Sequence, residues 1–146
     1  MDKVEKALSI FNKSFNCSQS VFTAFSEDFG LDEKTALLIA SGLGGGIGRT
    51  GRICGAVSGA ILVLGLKYGF FEEEDIDSGK ERIYPKVKEF IKEFETIYRS
   101  INCIDLLGGV DLGTEEGLKK AKEENLFKTI CPKYVETACK ILEKLL

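Results

Sequence analysis

The most informative absence in this 146-residue sequence is histidine, which does not occur at all. Without imidazole the chain cannot form a Ser-His-Asp or Cys-His catalytic arrangement, and it cannot ligate zinc or haem through histidine. Acid-base catalysis near neutral pH also loses the side chain that usually performs it. Catalysis by side chains alone is therefore not expected.

Three further features are missing. A net charge of −3 and a pI near 5.2 leave no basic surface for a nucleic-acid backbone, so nucleic acid is not an expected partner. No apolar run reaches the roughly 20 residues that span a bilayer. The uncharged stretches 36–48 and 53–66 predict buried core rather than membrane insertion. No secretion signal opens the chain, which predicts a cytoplasmic protein.

Helical periodicity dominates what is present, because apolar residues recur at spacings of three and four. The pattern predicts one all-α domain over residues 1–146, a compact bundle of five to six helices with a glycine-rich central segment. The expected helices cover about 4–15, 17–29, a segment after Asp32, 54–67, 84–101 and a final helix from Pro132. Residues 72–80 are expected to form an exposed acidic loop, and at most a short surface helix follows Thr114.

Glycine is concentrated in residues 42–51, at a density that no ordinary helix interior tolerates. The segment lacks a Gly-Lys-Ser/Thr ending and a preceding strand, which disfavours a phosphate-binding loop. Gly55 and Gly59 lie four residues apart on one helix face beside other small residues. Such a face allows another backbone to approach closely, either within one molecule or across a homodimer.

The five cysteines lie at positions 17, 54, 103, 131 and 139, and none forms a Cys-x-x-Cys pair. The first four fall at or beside predicted helix ends. Unpaired N–H groups at a helix start favour the thiolate form, so this placement suits sulfur chemistry. Cys139 instead follows Val135 by four residues on the apolar side of the last helix, which predicts an inert buried thiol.

Together with these cysteines, the segments 16–21, 40–51 and 54–60 resemble the C-GCAxxG-C-C family of redox-active proteins over nearly the whole chain. Its four signature cysteines would correspond to Cys17, Cys54, Cys103 and Cys131, with Cys139 outside the pattern. One departure is that residues 54–59 read Cys-Gly-Ala-Val-Ser-Gly, so the cysteine precedes the first glycine. The family is similar in part to split-Soret cytochromes, which hold haems and an iron–sulfur centre. The missing histidines exclude haem here.

Four thiolates can complete the coordination of an iron–sulfur cluster even when they come from distant parts of a chain. Because an all-thiolate cluster is anionic, we expect hydrogen-bond donors and positive charge around it, supplied by Gly45, Gly46, Arg49 and Arg52. The expected function is electron transfer with a redox partner protein. The alternatives are thiol–disulfide exchange without metal, a zinc site on the same thiolates, and an interaction module without chemistry.

Overall fold

Every regular element in the computed structural model, which describes residues 1–146, is helical. Seven α-helices have eight residues or more: α1 (Lys3–Asn12), α2 (Cys17–Ser26), α3 (Glu33–Ala40), α4 (Gly55–Tyr68), α5 (Ile76–Tyr98), α6 (Glu115–Glu123) and α7 (Cys131–Leu145). Short helical turns cover Glu27–Phe29, Ser41–Leu43, Gly44–Ile47, Glu73–Asp75, Cys103–Leu106 and Leu126–Thr129. The all-α prediction is confirmed. The expected number of five to six helices is too low, because the polar segment after Thr114 forms the complete helix α6.

Side-chain caps fix several helix starts close to where the sequence predicts them. Asn16 accepts a hydrogen bond of 2.9 Å from the Gln19 N–H, and Gln19 Oε1 accepts one of 3.1 Å from the Asn16 N–H. This reciprocal pair places Cys17 as the first residue of α2. Asp32 likewise caps α3 by accepting from the Thr35 N–H. The predicted helix after Asp32 is therefore confirmed.

Helix α5 begins at Ile76, eight residues before the predicted start at Tyr84, so the expected loop over 72–80 is wrong from Ile76 onward. Arg82 explains the earlier start, because its guanidinium donates hydrogen bonds to Asp75 and to the carbonyl groups of Tyr68 and Gly69. These bonds tie the first turns of α5 to the end of α4. Of the acidic residues in this segment, Asp77 therefore lies on α5, while Glu73, Glu74 and Asp75 form the short turn that precedes it.

Two apolar clusters form the interior. The larger one is built mainly from α2, α4, α5 and α7, and its largest fully buried side chains include Phe90, Phe94 and Leu142. Burial of each such side chain stabilises the fold by roughly 1.5–3 kcal/mol. The smaller cluster comprises Cys103, Leu107, Val110, Leu112, Ala121 and Cys131. Cys17 packs against both clusters, so the border between them contains cysteine sulfur.

Helices α2 and α4 approach each other closely because α4 carries glycine at the crossing. A Cβ on Gly59 would lie 2.8 Å from the Ser18 carbonyl oxygen, a distance too short for any Cβ atom in a folded protein. A Cβ on Gly55 would lie 3.2 Å from Cys17 Cβ. The small-residue face thus serves packing within one molecule, while homodimerisation stays a prediction.

No single helix combines the length and apolar composition of a membrane span.

Candidate functional site

Four of the five cysteines line one cavity of about 890 Å³, namely Cys17, Cys54, Cys103 and Cys131. Each stands at the N-terminal end of a helical segment. Cys17 and Cys131 are the first residues of α2 and α7, Cys103 begins the turn Cys103–Leu106, and Cys54 is the N-cap of α4. The final helix therefore starts one residue before the predicted Pro132. The fold brings the four helix starts to the same space.

A short antiparallel bridge between Ile53 and Asn102 holds Cys54 near Cys103. The Cys54 N–H donates a hydrogen bond of 2.7 Å to the Ile101 carbonyl, and the Cys103 N–H donates one of 2.6 Å to the Arg52 carbonyl. Both cysteines thus have their backbones fixed by the same pair of segments, although 49 positions separate them in the sequence.

A buried hydrogen bond connects the elements that carry Cys103 and Cys131. The Tyr134 hydroxyl, one turn after Cys131 on α7, donates to the Leu106 carbonyl at 2.6 Å. Leu106 ends the turn that Cys103 begins. Because Tyr134 and Leu106 also line the cavity, this bond joins two of its walls directly.

The glycine-rich segment forms a left-handed turn on another wall of the cavity. Gly45 and Gly46 have φ values of 66° and 73°, and positive φ continues through Ile47, Gly48 and Arg49. A Cβ on Gly46 would lie 2.8 Å from Cys103 Cβ and 2.5 Å from the Arg52 nitrogen. Glycine at position 46 is therefore required both by the backbone conformation and by its close approach to Cys103.

Burial holds two of the cavity thiols in the protonated form. Removal from solvent raises the pKa of Cys54 to about 11, although hydrogen bonds from the N–H groups of Ala56 and Val57 to its sulfur act in the opposite direction. Burial also raises the pKa of Cys103 to about 12. Both are neutral thiols at pH 7, so a bound cation would have to displace their protons.

Cys17 and Cys131 form a directly interacting thiol pair. A hydrogen bond between the two side chains lowers the pKa of Cys131 and raises that of Cys17 well above its usual range. Cys131 is thus the only one of the four cavity thiols whose pKa is lowered, which favours its thiolate form over those of the others.

Cys139 lies apart from this group. It is fully buried in α7, belongs to the larger apolar cluster and does not line the cavity. Burial raises its pKa to about 12. Its surroundings are those of a small core side chain, as the helical spacing from Val135 predicts.

The residues expected around the cysteines divide into two groups. Gly45, Gly46 and Arg49 line the cavity. Arg52 does not line it, because its side chain is exposed and its contribution is made by the backbone, which bonds to Gly46 and Cys103. Sequence reasoning missed Lys128 and Tyr134, which do line it. Tyr134 lies three residues after Cys131 on α7, so helical spacing was the available signal for it, whereas Lys128 lies on the separate turn Leu126–Thr129 and has no such signal.

The cysteines do not converge on one point. No group of three or more cysteine or carboxylate side chains is arranged to hold a metal ion. A structural zinc ion requires four ligands within about 2.0–2.3 Å of a single centre. The arrangement therefore differs from a preformed zinc site.

Comparison with known proteins identifies the family of this chain. A family model described as "Putative redox-active protein (C_GCAxxG_C_C)" matches residues 15–145. An uncharacterised protein of Archaeoglobus fulgidus is 30% identical over 133 residues, which are 84% of this chain and 88% of that protein. No solved structure matches. Because the family model covers all four cavity cysteines and nearly the whole sequence, the chain belongs to the C_GCAxxG_C_C family of redox-active proteins.

Proposed function

We propose that the cavity binds an iron–sulfur cluster and that the protein transfers electrons through it. The observation that carries this proposal is that four thiols from four helix starts surround one cavity of about 890 Å³. In a cluster the four thiolates are shared among two or more iron atoms, so their sulfurs enclose a volume rather than meet at a point. The absence of a single-ion arrangement therefore disfavours zinc more than it disfavours a cluster.

The chain offers suitable surroundings for an anionic group at this position. The Ala56 and Val57 N–H groups already donate to the Cys54 sulfur, and Arg49 places positive charge on the cavity lining. The lining side chains of Leu106, Leu107 and Leu112 are buried and would exclude water from one side. When bound, a cluster would supply one-electron transfer at a potential set by such hydrogen bonds, charge and exposure. Cys17, Cys54, Cys103 and Cys131 would be its ligands.

The test is anaerobic purification followed by an absorption spectrum and by iron and acid-labile sulfide analysis. We expect brown protein that contains both elements. The Cys54→Ser variant should lose most of the iron and sulfide. The matched variant Cys139→Ala, which removes the cysteine outside the cavity, should retain them. Colourless wild-type protein that contains neither element after anaerobic reconstitution would contradict the proposal.

A second function is favoured by one specific relationship: Cys17 and Cys131 line the same cavity, and each thiol shifts the pKa of the other. In this alternative the Cys131 thiolate attacks a disulfide of a partner, which forms a mixed disulfide and releases one partner thiolate. Cys17, after losing its proton, then attacks the Cys131 sulfur and releases the second partner thiolate. The partner disulfide is reduced by two electrons, and a Cys17–Cys131 disulfide is formed.

Mild oxidation of the metal-free chain with diamide, followed by peptide mapping, tests this alternative. A disulfide between Cys17 and Cys131 that dithiothreitol reverses would support it. The Cys131→Ser variant should form no disulfide, whereas Cys139→Ala should form the same one as the wild type. Four free cavity thiols after oxidation, or a disulfide that involves Cys139, would contradict it.

A further inference from the structure

The cysteine cavity of about 890 Å³ falls within the roughly 300–1,000 Å³ that ligand pockets occupy. Besides the four cysteines, its lining includes aromatic side chains and two cationic residues. The cavity therefore has the size and the surface to hold a small molecule.

Exposure orders the cavity lining by depth. Cys54, Cys103 and Cys131 are buried and form its floor. Arg49 and Lys128 are exposed and lie at its mouth. Half-buried aromatic rings lie between floor and mouth, namely Phe11, Phe15 and Phe127. The positive charge of the lining is therefore accessible from solvent, whereas these three thiols are not.

The charge at the mouth is opposite in sign to that of the whole molecule. The chain has more acidic than basic residues, with a net charge of −3, yet no Asp or Glu lines the cavity. Neither Arg49 nor Lys128 takes part in any of the ion pairs of the protein. Two cations without carboxylate partners attract an anion, and guanidinium and ammonium groups both bind carboxylate oxygens well.

The backbone holds Arg49 against the cavity despite a conformational cost. Arg49 has a φ of 63°, in the left-handed region that side chains disfavour. A Cβ on Gly45 would lie 2.7 Å from Arg49 Cγ, so only a glycine at position 45 leaves room for the arginine stem to lie there. Strained backbone is retained where the surrounding structure or the function requires it.

We infer that the outer part of the cavity binds a small organic anion with a flat apolar body, its carboxylate held by Arg49 and Lys128. The aromatic rings would cover its body and orient it toward the thiols. That this anion exchanges electrons with the sulfur centre rests on the proposed function, whereas its binding does not. The chemical class of ligand is therefore an aromatic or unsaturated carboxylate.

Three probes of equal size and different charge test this inference: benzoate, benzamide and benzamidinium. Each is titrated into the full ¹⁵N-labelled chain as isolated, and amide chemical shifts are followed by NMR. We expect benzoate to shift the amides of the glycine-rich turn and of residues 127–131. Benzamide should bind more weakly, and benzamidinium should not bind. Added salt should weaken benzoate binding because the attraction is electrostatic.

Single substitutions identify the residues responsible. Arg49→Gln and Lys128→Gln should each weaken benzoate binding by about tenfold, the loss of one charge-assisted hydrogen bond. The matched variants are Arg52→Gln, which removes an exposed neighbouring arginine outside the cavity lining, and Lys122→Gln, on the surface of α6. Both should bind benzoate as the wild type does. Circular dichroism of each variant confirms that it is folded.

The outcomes separate this inference from the proposed function. Equal binding of the three probes, unchanged affinity in both cavity variants, or no benzoate shifts up to about 10 mM would overturn it. Protein that contains iron and sulfide but binds no benzoate would contradict the anion site alone. Protein that binds benzoate through Arg49 and Lys128 but never acquires iron would contradict the cluster alone and leave the anion site established.

Discussion

Gly59 of α4 lies directly against the backbone of Ser18 in α2, so closely that a Cβ at position 59 would be 3.0 Å from Ser18 Cα. Ser18 follows Cys17, and Gly59 lies one turn beyond Gly55, the residue after Cys54. The crossing of these two helices thus sets the separation of two cavity cysteines. One close helix crossing therefore both packs the small residues together and positions the two cysteines.

Replacement of Gly59 by alanine should destabilise the protein by about 1–3 kcal/mol, because the new methyl group meets backbone that cannot move independently. The matched variant is Gly65→Ala on the same helix, where an added Cβ has no neighbour within 4 Å. This second change should stabilise the protein by about 0.4–1 kcal/mol. Urea unfolding measures both. Equal changes in the free energy of unfolding for the two variants would show that α2 and α4 are not in close contact at Gly59.

Asn16→Ala should lower stability by about 1 kcal/mol through loss of the cap of α2. Asn16 also donates a hydrogen bond of 3.0 Å to the Ser41 carbonyl, so its loss should let Cys17 move away from Cys131. The pH at which Cys131 is half-alkylated should then rise. Asp32→Ala, which removes the cap of α3, should cost similar stability without moving that pH. A shift in both variants would argue against a specific role of Asn16.

Tyr134→Phe should destabilise the protein by about 1–2 kcal/mol, because it leaves the Leu106 carbonyl without its buried donor. Tyr84→Phe is the control, since Tyr84 is 53% exposed on α5. Thermal unfolding should show a lower Tm for the first variant only. If Tyr134→Phe unfolds at the wild-type temperature, the bond between the two cavity walls contributes little.

Alkylation of the metal-free protein should depend on pH differently at each cysteine. A thiol reacts as thiolate, so its rate rises as pH passes through its pKa. Cys131, with its lowered pKa, should react with iodoacetamide at a lower pH than the other cysteines, while Cys54, with a pKa of about 11, should require strongly alkaline solution. Mass spectrometry after short exposure at several pH values measures the order. Labelling of Cys54 before Cys131 would contradict it.

Local features of the site are the ones that the sequence predicts well. The start of a helix depends on residues within one turn, and the predicted starts of α2 at Cys17 and of α3 after Asp32 illustrate this. The separation of Cys139 follows from its spacing to Val135 on one helix face. The high density of glycine in residues 42–51 is enough to exclude an ordinary helix there. Each of these predictions depends only on residues that are close together in the sequence.

Features that join distant segments could not be predicted in this way. The bridge between Ile53 and Asn102 depends on how residues 49 positions apart meet, and one isolated pair leaves no period-two pattern in the sequence. The early start of α5 depends on Arg82 reaching the carbonyl groups at the end of α4. Lys128 reaches the cavity only because the turn Leu126–Thr129 precedes α7 at that angle.

The most direct test of the account compares cysteine alkylation in anaerobically isolated protein before and after removal of bound metal with a chelator. If one cofactor is held by the cavity cysteines, all four should be protected before removal at every pH compared. After removal Cys131 should react first and the other three as the pH is raised toward their higher pKa values, while Cys139 behaves the same in both samples. Peptide mapping reads each position separately. Protection of fewer than three cavity cysteines, or a change at Cys139 instead, would contradict the assignment of the four thiols to one centre.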